Sequence, residues 1–183
     1  MEKVVILVFS GKLRGNCSSI ADYICKHNNR TNVRVIRMHY FFKPCGDCGY
    51  ECLQPEKQCP VINQEALEII EAICECELVY YIIPNYCGVP CANYYAFNER
   101  LVGWFNGDRA KMQRYKSVKK RFVFVSNTEN DAFQQVAAQH SNEKNDVLYL
   151  ASRKYGKQSI AGDLLDSDAA KADLELFLNT THP

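Results

Sequence analysis

The chain has 183 residues and a formal net charge of +1, with 22 lysines and arginines against 21 aspartates and glutamates. That length suits one domain with a substantial core, and so even a balance excludes the global field that draws a protein to nucleic acid or an anionic membrane. Ten cysteines without an export signal point to reduced thiols in a cytosol, where clustered cysteines more often hold metal or do redox chemistry than form structural disulfides.

No stretch approaches the ~18 apolar residues of a spanning helix, and the apolar run behind Glu2-Lys3 is too short for a signal peptide. A cytoplasmic protein with no membrane partner is expected.

Val4-Val5-Ile6-Leu7-Val8-Phe9 is an unbroken apolar run, the pattern of a parallel strand buried on both faces. Ser10 to Ser19 then packs hydroxyls, an amide, two cations and two glycines into ten residues, and helical spacing starts at Ile20. A strand that empties into a polar loop before a helix N-terminus aims backbone N–H groups and the positive dipole end at one place, an anion site. The loop lacks G-x-x-x-x-G-K-[ST] and G-x-G-x-x-G. Ser10, Asn16, Ser18 and Ser19 suit a terminal monophosphate instead, although an ordinary capped β–α turn uses the same residue types.

The first helix is expected over about Asn16 to Asn28, followed by a polar loop from His27 to Asn32 and a strand, open on one side, over Val33 to Met38. Tyr40 to Gln64 has no periodicity and reads as a long loop, a length that is usually functional. Within it Cys45-x2-Cys48-x3-Cys52-x6-Cys59 puts four thiols in fifteen residues, a density that suits an iron–sulfur cluster or a tetrahedral zinc. Free or disulfide-paired thiols are the alternative. His39 is a distant substitute ligand and reads more simply as a surface or core residue.

A helix over Gln64 to Glu77 and a second apolar strand over Leu78 to Ile83, stopping at Pro84, come next. Asn85 to Pro90 is a second loop leaving a buried strand, and Pro90 is placed to open a helix over about Cys91 to Phe105. Its Tyr94, Tyr95, Phe97, Trp104 and Phe105 read as core or dimer contact. Cys25, Cys74 and Cys76 read as small core residues, whereas Cys87 and Cys91 sit in or beside a loop that should face a ligand. Seven cations in thirteen residues, Arg109 to Arg121, lead into a strand over Phe122 to Val125. After a third polar loop, Ser126 to Asp131, a helix to His140, a strand over Val147 to Leu150, a variable segment with Gly156 and Gly162, and a helix over Ser167 to Leu178 complete the chain. This βα alternation, five times over, gives a parallel sheet with helices on both faces, and all three polar loops fall on its carboxyl edge, where ligands bind. There is no internal repeat, low-complexity tract or domain linker.

Phe9-Ser10-Gly11-Lys12-Leu13-Arg14-Gly15-Asn16-Cys17 resembles the phosphate loop of the flavodoxin-like NAD(P)H-dependent FMN reductases, G-S-x-R-x-x-x-N-[ST], and Pro84-Asn85-Tyr86 resembles their P-x-Y turn. The cysteine loop is similar to that of the family's iron–sulfur flavoprotein branch, one residue wider between its second and third cysteines. Lys12 stands for the usual arginine, Cys17 for the usual hydroxyl residue, and Asn63-Gln64 for an acidic pair. The motifs span roughly Val4 to Arg100, and beyond Arg121 the match is to topology only.

The resemblance implies an α/β fold, a three-layer flavodoxin-like doubly wound five-stranded parallel sheet of strand order 2-1-3-4-5, as a single domain over residues 1–183 with the cysteine-rich loop at about 40–64. It implies FMN at the carboxyl edge, its phosphate held by Ser10, Lys12, Gly15, Asn16, Cys17 and Ser18. Pro84, Asn85, Tyr86, Cys87 and Gly88 would lie against the isoalloxazine, with Ser126 and Asn127 near it, and a [4Fe–4S] cluster would use Cys45, Cys48, Cys52 and Cys59. The activity implied is hydride transfer from NAD(P)H to a small acceptor such as a quinone or flavin, with a non-enzymatic electron carrier or a metal-stapled binding module as alternatives. Arg109 to Arg121 would then grip the 2′-phosphate of NADPH or an acidic partner, or simply be a solvated face. The partners implied are a small-molecule acceptor or redox protein and a second copy, a homodimer or higher homo-oligomer completing the flavin pocket. Flavin takes hydride by stacking, so no catalytic triad is needed, and none is found.

Overall fold

The computed structural model describes residues 4–28, 32–38, 45, 46, 48–54, 57–61, 64–129, 133, 136 and 146–180. His39, read more simply as a surface or core residue than as a substitute ligand, lies outside them, as does the expected helix over 131–140 apart from Phe133 and Val136, both helical.

Five parallel strands, β1 (Val4–Val8), β2 (Val33–Arg37), β3 (Leu78–Tyr86), β5 (Lys119–Ser126) and β6 (Asp146–Ala151), form one sheet in the order β2-β1-β3-β5-β6. The two-residue β4 (Val89–Pro90) folds back on β3 as an antiparallel sixth strand. Without that hairpin the order is the expected one.

The apolar runs dictate this sheet. On β1, Val5 and Leu7 point into one cluster, with Met38, Ile69, Ile73, Tyr94 and Phe97, while Val4, Ile6 and Val8 point into the other, with Ile20, Ile24, Leu174 and Phe177. Helices α2 (Gln64–Glu75), α3 (Ala92–Phe105) and α4 (Arg109–Ser117) cover the first face; α1 (Asn16–His27) and α5 (Asp168–Asn179) cover the second. Most of the α3 aromatics are core: Tyr94, Phe97 and Trp104 are buried, and Phe9, Tyr81, Tyr94 and Phe97 meet ring to ring. Among the described residues no helix is long and apolar enough to cross a membrane.

Three expectations are corrected. First, β3 does not stop at Pro84 but runs on to Tyr86. β1 ends at Val8 opposite Ile82, so nothing on that side asks for the N–H that Pro84 lacks, and the Pro84 carbonyl still accepts from Cys91 N–H at 3.1 Å. Second, Pro90 therefore belongs to β4, and the helix begins two residues later. Third, the strand expected over Phe122 to Val125 begins earlier, so that Lys119, Lys120 and Arg121 belong to β5, while Arg109–Ser117 forms α4, which Asp108 caps by accepting from the N–H groups of Ala110 and Lys111.

Candidate functional site

In a doubly wound sheet the ligand crevice lies outside the carboxyl ends of the strands where the winding reverses, here between β1 and β3. The loop after β1 and the turn after β3 flank it.

The first loop is shaped around Lys12. Ser10 Oγ accepts from Lys12 N–H at 3.2 Å and Ser18 Oγ donates to the Lys12 carbonyl at 3.3 Å, so two buried hydroxyls fix the backbone while the Lys12 and Arg14 side chains stay exposed. Ser10 keeps its own O–H to donate. Gly15 precedes α1 with φ +148°, a region that favours glycine, and no side chain caps the helix. The first bond of the helix runs from Ser19 N–H to the Gly15 carbonyl, leaving the N–H groups of Asn16, Cys17 and Ser18 for another acceptor. Those donors, the helix dipole and two exposed cations fit a phosphate. Cys17 is buried, and burial, followed by the nearby Cys91 thiol, pushes its pKa up to about 12, so it faces the site as a neutral thiol.

The second element is a two-residue hairpin turn. Cys87 (φ +55°) and Gly88 (φ +83°) join Tyr86 to Val89 in the left-handed geometry such turns require. Cys87 is exposed, and so is the Tyr86 ring. The two elements meet: Cys91 Sγ donates to the Phe9 carbonyl at 3.3 Å, and the Tyr86 hydroxyl is raised by burial and then by its neighbours Cys17 and Cys91. Beside them Asn85 Oδ1 is buried with no hydrogen-bond partner among the described residues. An orphaned acceptor in this turn fits an N–H of a flavin ring edge.

The third loop is engaged differently. Ser126 Oγ donates to the Thr128 carbonyl. Asn127 Oδ1 accepts from Ser152 Oγ and from Ser159 N–H, each at 3.0 Å. Asn16 is engaged by the same segment, its Nδ2 donating to the Ser159 carbonyl at 2.8 Å and its Oδ1 accepting from Leu164 N–H at 2.9 Å. These two amides hold the segment between β6 and α5 along the rim, so Asn16 offers a ligand its backbone N–H. Sequence reasoning missed this strap. The only signals were Gly156 and Gly162, which take φ of +67° and +85°, and nothing in the sequence says where such a segment docks.

The four expected metal ligands are dispersed in character. Cys52, in a 3₁₀ turn (Glu51–Leu53), and Cys59 are buried, Cys48 is half-buried and Cys45 is exposed, with its N–H donating to Glu99 Oε2 of α3 at 2.7 Å. Among the described residues no three cysteines, histidines or carboxylates gather as metal ligands would, so a [4Fe–4S] cluster finds no support.

The cations of α4 are far from the rim. They feed Lys119, which pairs with Leu78 where β3 begins, so they lie at the amino edge and cannot grip a nucleotide held at the carboxyl edge. Among the described residues none of Arg109, Lys111, Arg114, Lys116 and Lys119 joins an ion pair.

No protein-family model and no curated protein matches this chain. Solved structures do. The Trp repressor binding protein of Bacillus subtilis is 13% identical, with 99% of this chain and 100% of that one covered and a TM-score of 0.63. An azoreductase from Bacillus anthracis str. Sterne is 10% identical over 97% of each chain, TM-score 0.60. The flavoenzyme NAD(P)H:(acceptor) oxidoreductase from Paracoccus denitrificans is 9% identical, covering 98% of this chain and 96% of that one, TM-score 0.52. At such identities the likeness is one of architecture, and together with the strand order it establishes an α/β fold of the flavodoxin-like kind.

Proposed function

We propose that this protein is an FMN-dependent oxidoreductase that passes hydride from NAD(P)H to a small acceptor such as a quinone or a flavin. The observation that carries the reading is the uncapped N-terminus of α1 opening beside the Tyr86 turn at the β1/β3 crevice, that turn holding a buried Asn85 Oδ1 with no partner among the described residues. The azoreductase and the NAD(P)H:(acceptor) oxidoreductase that share the fold support it.

In this reading FMN supplies the chemistry, accepting and delivering hydride at the ring. The chain's own residues bind and orient. The backbone N–H groups of Asn16, Cys17 and Ser18, the Ser10 hydroxyl and the side chains of Lys12 and Arg14 hold the phosphate. Gly15 lets the backbone approach it closely. Pro84 to Gly88 lie along the ring, Asn85 Oδ1 accepts from a ring-edge N–H, and the exposed Tyr86 ring excludes water from one side. Asn127 sets the far wall through the strap, with Ser126 beside it. A second copy covers the open side of the pocket, and the acceptor, a small molecule or a redox protein, enters there.

Titrating the purified chain with FMN and following flavin fluorescence, then adding NADH or NADPH with a quinone, tests this. Quenching at one FMN per chain and sustained nicotinamide oxidation are expected; no quenching at tens of micromolar FMN would end the proposal.

A further inference from the structure

The cysteine loop does not assemble four ligands, but it does bring two thiols to one spot on α3. Gly103 is the marker. A methyl group at Gly103 would lie 2.7 Å from Cys59 Cβ, 3.1 Å from Cys59 Sγ and 3.9 Å from Cys52 Cβ. Both cysteines therefore pack against the same helical glycine, and their Cβ atoms are no more than about 7 Å apart, against the ~3.5–4.5 Å of a closed disulfide.

The two thiols share an environment that sets them apart from Cys45 and Cys48. Each is only 7% exposed, near the surface yet covered, and all ten cysteines are free in this state. After burial itself, Cys59 and then Cys45 and Cys48 raise the Cys52 thiol, Cys59 most. Cys52 sits in the 3₁₀ turn, whose preceding Tyr50 adopts a left-handed φ of +56°. Closing the pair asks the two Cβ atoms to draw together by up to a few ångströms, and it is the missing Cβ of Gly103 that gives Cys59 its place on the helix.

We infer that Cys52 and Cys59 are a redox-active dithiol that closes to an intramolecular disulfide against Gly103. The step is thiol–disulfide exchange with a small-molecule disulfide. One cysteine thiolate attacks the reagent and expels a first thiol; the second cysteine attacks the mixed disulfide and expels the other. Two S–H bonds are lost and one S–S bond forms in the protein, while the reagent disulfide is reduced to two thiols that carry away both protons and the electron pair. The product closes an eight-residue loop, Cys52 to Cys59, onto α3, and any path through this loop becomes dependent on the redox state of the solution. This inference does not rest on the FMN reading.

The test uses the full chain equilibrated with oxidised and reduced dithiothreitol in varied ratio, then quenched with N-ethylmaleimide and digested with trypsin. Lys57 lies between the two cysteines, so a disulfide joins two tryptic fragments that separate on reduction. Cys45 and Cys48 fall in the same fragment as Cys52, and Cys74, Cys76, Cys87 and Cys91 in the same fragment as Cys59, so the measurement is repeated on the Cys45→Ser/Cys48→Ser chain and on Cys59→Ser, in which the link should be lost. Linked fragments in the first two chains, with labelling of Cys52 and Cys59 falling about tenfold together, are the expected result, and Cys52→Ser should abolish the link while the far-ultraviolet circular dichroism is unchanged. Full labelling of both thiols at every ratio would overturn the inference. A link that maps to Cys45 or Cys48, or one equivalent of iron or zinc that shields all four thiols, would overturn it equally.

Discussion

Asn16 and Asn127 meet through one residue: Asn16 Nδ2 donates to the Ser159 carbonyl at 2.8 Å, while Ser159 N–H donates to Asn127 Oδ1 at 3.0 Å. The two asparagines follow β1 and β5, strands that β3 keeps apart in the sheet. Both the N–H and the C=O of Ser159 are thus spent on side chains, and the strap is pinned across the rim at a point with no regular secondary structure of its own.

Asn16→Ala and Asn127→Ala should each cost about 1–3 kcal/mol, since each strands buried or half-buried backbone partners. The double variant should cost less than the two together, because releasing Ser159 from one side already frees the strap. Urea unfolding of the four chains gives the cycle. Strict additivity would mean that the two amides act independently and that the strap is not one unit.

Gly103→Ala should destabilise by about 1–3 kcal/mol, because the added methyl would sit 2.7 Å from Cys59 Cβ, closer than such atoms approach. Cys59→Gly in the same chain removes that Cβ and should return part of the loss. Thermal melts of the single and double variants decide it; an unperturbed Gly103→Ala would show that the loop moves away freely.

Lys120 gives a pH signature. The residue is 2% exposed, and its ammonium donates to the carbonyls of Tyr115 and Val118 at 2.5 and 2.9 Å and stands over the Tyr115 ring. Burial depresses its pKa from 10.5 to about 8. The unfolded chain therefore binds this proton more tightly than the native one, so charging Lys120 opposes folding by on the order of 3 kcal/mol below pH 8 and the penalty fades as pH rises to 10.5. The stability of the wild type relative to Lys120→Met should accordingly increase between pH 8 and 10.5. Burial pushes the Cys74 and Cys76 thiols up to about 11 while Lys120 pulls both down, so they couple to the lysine and the comparison is made in a Cys74→Ala/Cys76→Ala background. A difference that stayed flat over this range would mean the lysine reaches water.

Lys12→Ala/Arg14→Ala should weaken FMN binding about tenfold at low ionic strength, with the gap narrowing as salt rises, because both cations are exposed and screened. The melting temperature should hardly move. Titrations at two salt concentrations measure both; an equal affinity in the two chains would remove the cations from the phosphate site.

The sequence by itself determined a parallel sheet covered on both faces, whereas its strand order was implied by the family resemblance. Val4 to Phe9, Leu78 to Ile83 and Phe122 to Val125 are apolar without alternation, and such runs are stable only where both faces are covered. It also located the loop that empties into α1, since strand, glycine, polar residues and helix follow one another within twenty positions. What the tertiary structure decided depends on contacts between residues remote in the chain. Asn16 looks like a phosphate ligand in sequence, yet its side chain is taken by a segment 143 residues away. Pro84 looks like a stop, yet β1 has already ended beside it, so the strand continues. Cys45, Cys48, Cys52 and Cys59 look like four equivalent ligands, but Cys52 and Cys59 are buried against α3 at Gly103 while Cys45 is exposed, because packing against a particular helical glycine follows from the docking of the loop and not from the spacing of its cysteines.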